Sequence, residues 1–173
     1  AARAQVVNDI IKPALLKGKI VICDRFLDST LAYQGFGLGV DINFIRHLGN
    51  FATEGIKPDL TIFLDLPIKK GLLHRALSKD RIEKRSYLYH LRVRKGYLKL
   101  AGFEPKRIKI VTTIHDISFN FFHHFIKFLD LFFLKILIPN SLSRADKVIA
   151  VSKFTRDEIV KYYRVVPEKI EWV

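Results

Sequence analysis

The chain holds one cysteine, Cys23, among its 173 residues, so no internal disulfide can form. That usage fits a reducing cytosol, and Cys23, set in an apolar run, reads as a buried small hydrophobe. No signal peptide is visible. The opening segment, "AARAQVVNDIIKPALLKGK", reads as an amphipathic helix without a start methionine or a cap. The chain is therefore expected to be the interior of a longer gene. Long unbroken apolar runs are missing too. The most apolar stretch, Ile117 to Asn140, is interrupted by Asn120, His123, His124, Lys127, Asp130 and Lys135. A spanning helix needs about 20 nearly uninterrupted apolar residues, which excludes a transmembrane span. An amphipathic helix resting on a membrane surface stays open. His123 and His124 have no cysteine or carboxylate at ligand spacing, so no metal site is expected. There is no internal repeat and no low-complexity linker.

What is present suffices for a folded domain, or for one domain and part of another. The sequence is 49% hydrophobic and carries a formal net charge of +13. Two readings of the charge stand: anionic partners such as nucleotides, nucleic acid or an acidic membrane face, or a solvated basic surface. Helix and strand signals alternate. Val6 to Leu16 has helical spacing and stops near Gly18. Lys19 to Cys23 reads as a buried strand, and Asp41 to Glu54 as a helix with Asp41 as its N-cap. Leu60 to Leu66 is a second strand, closed by Pro67. Helices follow at Ile68 to Leu77 and Tyr87 to Ala101. "RIKIVTTIHD" is a third strand and "DKVIAVS" a fourth. Thr155 to Tyr163 is a helix, and "KIEWV" starts a last strand. This alternation predicts an α/β fold, a parallel sheet with flanking helices. Ligands in such sheets sit at the carboxyl ends of strands. That directs attention to Asp24-Arg25, Asp65, His115-Asp116 and Ser152. In the Phe-rich stretch, Phe121, Phe122, Phe125, Phe128, Phe132 and Phe133 are expected to pack on the sheet.

At Asp24-Arg25, a planar fork of donors suits phosphate oxygens, and an adjacent carboxylate can order Mg²⁺ waters or a hydroxyl. Phosphoryl transfer depends mainly on positioning and charge neutralisation, which these residue types supply. Tyr33 can stack on a base and Gln34 can read a base edge. The competing reading is a surface Asp-Arg pair beside a buried tyrosine. The wording of the segment, "CDRFLDSTLAYQGFG", resembles thymidylate kinase. So do "ARAQ", "IKPALLKGKIVICDRF", "KPDLTIFLDLP" and "DRIEKRSYLYHLRVRKGYLKLA", in the family's order. The resemblance runs from Ala1 to about Ile110. It implies that Arg25 bridges acceptor and donor phosphates and that Asp24 helps organise the metal. It also implies that Phe26, Ser29, Tyr33 and Gln34 shape the thymidylate pocket, that Arg3 lies near the thymine, and that Arg75 and Arg81 belong to a lid over ATP.

The pattern has departures. Leu38 stands where the family places a basic residue, and Lys79 where glycine or arginine is common. Nowhere do the 173 residues contain G-x-x-x-x-G-K-[ST], the loop that cradles donor phosphates. "GFGLGV" follows a helix and lacks the lysine, so it is no substitute. In the family, the missing segment includes a mid-sheet strand between those equivalent to Lys19–Cys23 and Leu60–Leu66. Unpaired buried backbone is costly.

The second half carries another resemblance. At "VTTIHDISF" a strand ends in His115-Asp116, where Asp116 can cap the next helix or His115 can contact a sugar. "TIHDISF" together with "FLKILIPNSLSRADKVIAVSKFTRDEIVKYYRVVPEKIEWV" resembles the acceptor-side domain of glycosyltransferase family 4, from about Val111 to Val173. This implies that His115 lies near a transferred sugar. Ser152 is expected mainly to cap a helix, with Asp157 and Glu158 in its early turns.

Two fragments are therefore expected. Residues 1–110 form a thymidylate kinase-like, P-loop-kinase-like part lacking its first strands. Residues 111–173 form a Rossmann-like glycosyltransferase fragment lacking its donor-binding domain. The join keeps one strand in phase, and the chain reads as a chimera of two incomplete genes. The leading function is a thymidylate kinase-like phosphotransferase, ATP plus dTMP to ADP plus dTDP, inactive as written without the phosphate loop. The alternatives are a glycosyltransferase fragment and a non-catalytic chain with residual nucleotide binding. The implied cofactors are Mg²⁺ and ATP, and the implied partner is dTMP or a similar nucleotide. A homodimer and peripheral membrane contact through the Phe-rich helix stay open. No nucleic-acid partner is expected, and the expected location is the cytoplasm.

Overall fold

The computed structural model describes residues 2–66, 68, 85–121, 124 and 128–173. Helix α1 (Ala2–Val6) passes through a π-helical stretch, Val7–Ile11, into α2 (Lys12–Leu16), with Gly18 in the left-handed region at φ 68°. Helix α3 (Leu27–Thr30) continues into a second π-helical stretch, Leu31–Gly37. Helix α4 (Ile42–Thr53) starts at Asp41, whose Oδ1 accepts from the Phe44 N–H at 2.6 Å, as the sequence predicts. Glu54 closes α4 and pairs with Lys12, which holds its carboxyl below the ordinary carboxylate pKa. Strand β1 (Thr61–Leu64), helix α5 (Tyr87–Phe103), strand β2 (Ile108–Ile114) and a 3-10 turn, Ser118–Asn120, follow. Helix α6 (Phe128–Arg144), strand β3 (Lys147–Ala150), helix α7 (Lys153–Tyr163), a 3-10 turn at Pro167–Lys169 and strand β4 (Ile170–Trp172) complete the chain.

The chain divides into two compact units: Ala1–Asp59 with Lys84–Phe103, and Leu60–Glu83 with Glu104–Val173. The second holds a four-stranded, all-parallel sheet in the order β1-β2-β3-β4. Phe63 lies opposite Ile110, Thr112 opposite Val148, and Val148 opposite Ile170. β-branched residues dominate β2, as a pleated and largely covered surface favours. Its core gathers Ile114, Phe119, Leu142, Val148, Ile159 and Ile170. The family join expected at 110/111 falls inside β2, so both sides of it share one strand and one compact unit.

In the first unit, α5 packs on Leu31–Gly37 through Tyr89, Val93 and Gly96. The approach is close: a Cβ on Gly96 would meet the Phe36 Cβ at 2.7 Å, and one on Gly37 would meet the Tyr89 ring at 2.7 Å.

Three expectations are corrected. Lys19–Cys23 is not a buried strand: it has no regular structure, and Ile20 and Ile22 are each 93% exposed. Among the described residues no strand pairs with it, and a lone extended segment has no ladder to satisfy a buried backbone. Cys23 is accordingly exposed rather than buried. The Phe-rich segment also differs. In α6 the inward face is aliphatic, with Leu131, Leu134, Ile138 and Leu142 on the core, whereas Phe132 and Phe133 are 54% and 45% exposed. Helical periodicity sets this, because 131, 134, 138 and 142 share a face that 132 and 133 cannot join. Phe119 is buried and Phe121 exposed. Phe122, Phe125 and the Phe128 side chain lie outside what is described, as does most of the helix expected at Ile68 to Leu77.

Candidate functional site

The first unit places Asp24 and Arg25 in a bend immediately before α3, both exposed. Arg25 takes φ 72°, a left-handed conformation uncommon for a residue with a Cβ. That turn brings its guanidinium over the Tyr33 ring, 5.0 Å from Cζ to the centroid. Tyr33 projects from the π-helical stretch one turn beyond α3. Two rings from α5 meet its edge, Tyr89 at 6.4 Å and Tyr97 at 6.3 Å between centroids. The Tyr97 hydroxyl donates to Ser29 Oγ at 2.7 Å, and the Tyr89 hydroxyl to the Tyr33 carbonyl at 3.4 Å. Arg3, on α1, donates from Nη2 to Thr30 Oγ1 at 2.8 Å, and its guanidinium lies 5.7 Å from the Phe26 ring centroid. Gln34 is half-buried, and its carbonyl accepts from the Val40 N–H at 3.1 Å.

Arg3, Arg25, Phe26, Ser29 and Tyr33 are thus brought together on α1, the bend before α3, α3 itself and the stretch after it. The arrangement offers two guanidinium groups and several ring faces. It suits a ligand with a flat aromatic part and an anionic part, because guanidinium binds phosphate in a fork and rings take stacked bases. Burial pushes the Tyr97 phenol above its ordinary pKa, partly offset by the Ser29 hydrogen bond. Burial raises Tyr89 likewise, against the Arg85 charge. Both phenols therefore stay neutral donors at physiological pH. Tyr89 and Tyr97 are site residues that sequence reasoning missed. The available signal was their spacing, since 89, 93 and 97 fall on one helix face. Arg75 and Arg81 lie outside the described residues.

Among the described residues no three histidine, cysteine or carboxylate groups are placed to hold a metal ion. Mg²⁺ is commonly held by one or two carboxylates together with substrate phosphates and waters. Asp24, exposed beside Arg25, fits the protein's share of that arrangement.

In the second unit the sequence-predicted residues lie along the carboxyl edge of the sheet. His115 and Asp116 follow β2 and are exposed. Asp116 Oδ1 accepts from the Ser118 N–H at 3.0 Å and from Ser118 Oγ at 2.6 Å, an Asx turn leading into the 3-10 turn, whose N-cap position is Ile117. Ser152 follows β3 and accepts from the Thr155 N–H at 3.1 Å, the expected N-cap of α7. Thr155 Oγ1 in turn reaches the His115 carbonyl at 3.4 Å, tying the end of β2 to the start of α7. Asp65, at the end of β1, is buried, and its Oδ2 stands 3.8 Å from Arg144 Nη2.

Comparison with known proteins gives two family matches. A thymidylate kinase model matches residues 1–119, and a Glycosyltransferase Family 4 model matches residues 85–173. The two overlap across α5 and β2. The thymidylate kinase of Geotalea uraniireducens (strain Rf4) is 49% identical over 120 residues, covering 64% of this chain and 56% of that protein. That of Synechococcus sp. (strain JA-2-3B'a(2-13)) is 51% identical over 108 residues, covering 62% and 52%. A crystal structure of thymidylate kinase from Ehrlichia chaffeensis aligns at 31% identity and TM-score 0.49, over 78% of this chain and 58% of that one. The chain spans about half the length of the curated relatives it matches. On the strength of the first match, the chain belongs to the thymidylate kinase family, and its C-terminal part also matches Glycosyltransferase Family 4.

Proposed function

We propose that Arg3, Asp24, Arg25, Phe26, Ser29, Tyr33 and Gln34, with Tyr89 and Tyr97, form the acceptor half of a thymidylate kinase site, taking dTMP. The observation that carries this reading is the Arg25 turn. A left-handed backbone holds the guanidinium against Tyr33, whose ring is braced by Tyr89 and Tyr97. Arg25 meets the phosphate, Tyr33 and Phe26 flank the base, and Gln34 and Arg3 contact its polar edge. Tyr97 fixes the Ser29 hydroxyl on the same wall. The family reaction is ATP plus dTMP to ADP plus dTDP. Mg²⁺, held by phosphates and Asp24, would neutralise charge during transfer. Arg75 and Arg81 are proposed lid residues.

The 173 residues by themselves bind dTMP and turn it over negligibly, because their sequence has no G-x-x-x-x-G-K-[ST] loop for the donor phosphates. Titrating dTMP into the full chain tests binding. A rise in melting temperature that Arg25→Ala abolishes supports the reading, and no shift in the unmutated chain overturns it. A coupled assay for dTDP tests the second part, and formation at ordinary kinase rates would refute it. The cytoplasm is the proposed location; no described helix is long and apolar enough to cross a membrane.

A second reading rests on the family match over residues 85–173 and on the exposed His115 at the carboxyl edge of β2. There the second unit is a glycosyltransferase acceptor-side fragment, with His115 facing a sugar and Asp116 and Ser152 shaping the loops around it. Transfer or hydrolysis of a nucleotide-sugar by this chain, lost on His115→Ala, would favour it.

A further inference from the structure

Between Lys84 and Phe103 the sequence carries six lysines and arginines and no aspartate or glutamate, close to half of the net charge of +13. Helix α5 sorts these charges. Its inner face, Tyr89, Val93, Gly96 and Leu100, is buried. Arg92, Lys95 and Lys99 are exposed at spacings of three and four, hence on one outer face, and exposed Arg85 lies just before the helix. Neutral neighbours hold three of the four in place. The Arg85 guanidinium lies 5.0 Å from the Tyr89 ring centroid, Arg92 Nε donates to the Gly37 carbonyl at 3.1 Å, and Lys99 Nζ lies 5.8 Å from the Phe36 ring. Among the described residues no carboxylate pairs with any of them.

The row is cationic and orderly, and no described carboxylate offsets it. The apolar side of α5 is already used against Leu31–Gly37, so this helix has no broad apolar face to sink into lipid. Guanidinium and ammonium groups spaced along a helix complement the repeating charge of a phosphodiester chain. Tyr87, exposed at one end of the row, adds a ring on which a base can stack. We propose that Arg85, Arg92, Lys95 and Lys99 bind the phosphate backbone of a single-stranded nucleic acid. This proposal departs from the expectation of no nucleic-acid partner, and it rests on the helical period that aligns these basic residues on one face.

The test uses the full chain and a fluorescently labelled oligodeoxyadenylate of about 20 nucleotides, which spares the thymine site. Anisotropy is read against salt. Binding should weaken with a log–log slope of roughly −2 to −3, about 0.7 for each of three or four phosphates. Excess dTMP should leave it unchanged. The triple reversal R92E/K95E/K99E should bind about tenfold or more weakly, while R92K/K95R/K99R binds as the unmutated chain does. Circular dichroism checks that both fold. Should the reversal unfold the chain, K95E alone decides, with an expected loss of about threefold and a shallower slope. Equal binding by a folded reversal variant, a salt-independent affinity, or capture by phosphatidylglycerol vesicles without any oligonucleotide binding overturns the proposal.

Discussion

Arg25 combines two effects that substitution can separate. Its φ of 72° is strained for a residue with a Cβ, at a cost of about 1 kcal/mol or somewhat more. Arg25→Gly should therefore raise stability by about that amount while abolishing the dTMP-induced shift. Arg25→Ala loses the shift without the gain. Paired thermal melts with and without dTMP check this, and a glycine variant that melts well below the unmutated chain would contradict it. Tyr97 gives a second prediction at this scale. Burial raises its folded pKa above the usual value for tyrosine, so the neutral phenol is favoured in the native state. Its contribution to stability is complete below about pH 10 and is lost as pH climbs through the raised folded value. Melts between pH 8 and pH 11 should fall steeply at the alkaline end, and Tyr97→Phe should flatten that fall. The Ser29 hydroxyl then loses its donor, so dTMP binding is expected to weaken as well.

Elements in this chain are set by caps, close contacts and partners, and each has its own test. At Gly96 an added methyl would meet the Phe36 Cβ, which cannot swing aside as a side-chain tip could. Gly96→Ala is expected to destabilise by about 1–3 kcal/mol, read as a lower denaturation midpoint with an unchanged slope. Lys19–Cys23 behaves oppositely. Ile20→Ser and Ile22→Ser should each change stability by less than about 0.5 kcal/mol, because both side chains face solvent. In a buried strand, truncation of either would cost several kcal/mol. Much of the element plan was legible in the sequence. β1 to β4, the Asp41 and Ser152 caps, α4, α5 and α7 fall where periodicity and capping residues place them. The two failures share a cause. β-branched composition at Lys19–Cys23 reports a preference for pleated surroundings, and the surroundings are not there. Phenylalanine content around α6 reports apolarity, whereas facing is decided by phase. At the candidate site, Asp24-Arg25 and Tyr33 were visible locally. Tyr89 and Tyr97 come from more than fifty residues further on, and only packing reveals them as the brace on Tyr33.

The whole molecule is a parallel sheet in one unit and a helical nucleotide-site candidate in the other, each with its own core. β2 and β3 are paired on both sides, whereas β1 and β4 are each paired on one side among the described residues. Amide exchange should follow that order, slowest at Val111, Thr112 and Val148 and faster in β1 and β4. Uniform protection across the four strands would show that the sheet opens only as a block. β2 has a wider consequence. The boundary expected from the sequence at 110/111 falls within this strand, and the overlap of the two family matches contains it. Its pairing with β1 and β3 runs through backbone amides and carbonyls, which are the same whatever side chains they carry. A strand of this kind is a grammatical joint: two ancestral sentences can be cut there and continued from one to the other without disturbing the syntax of the ladder.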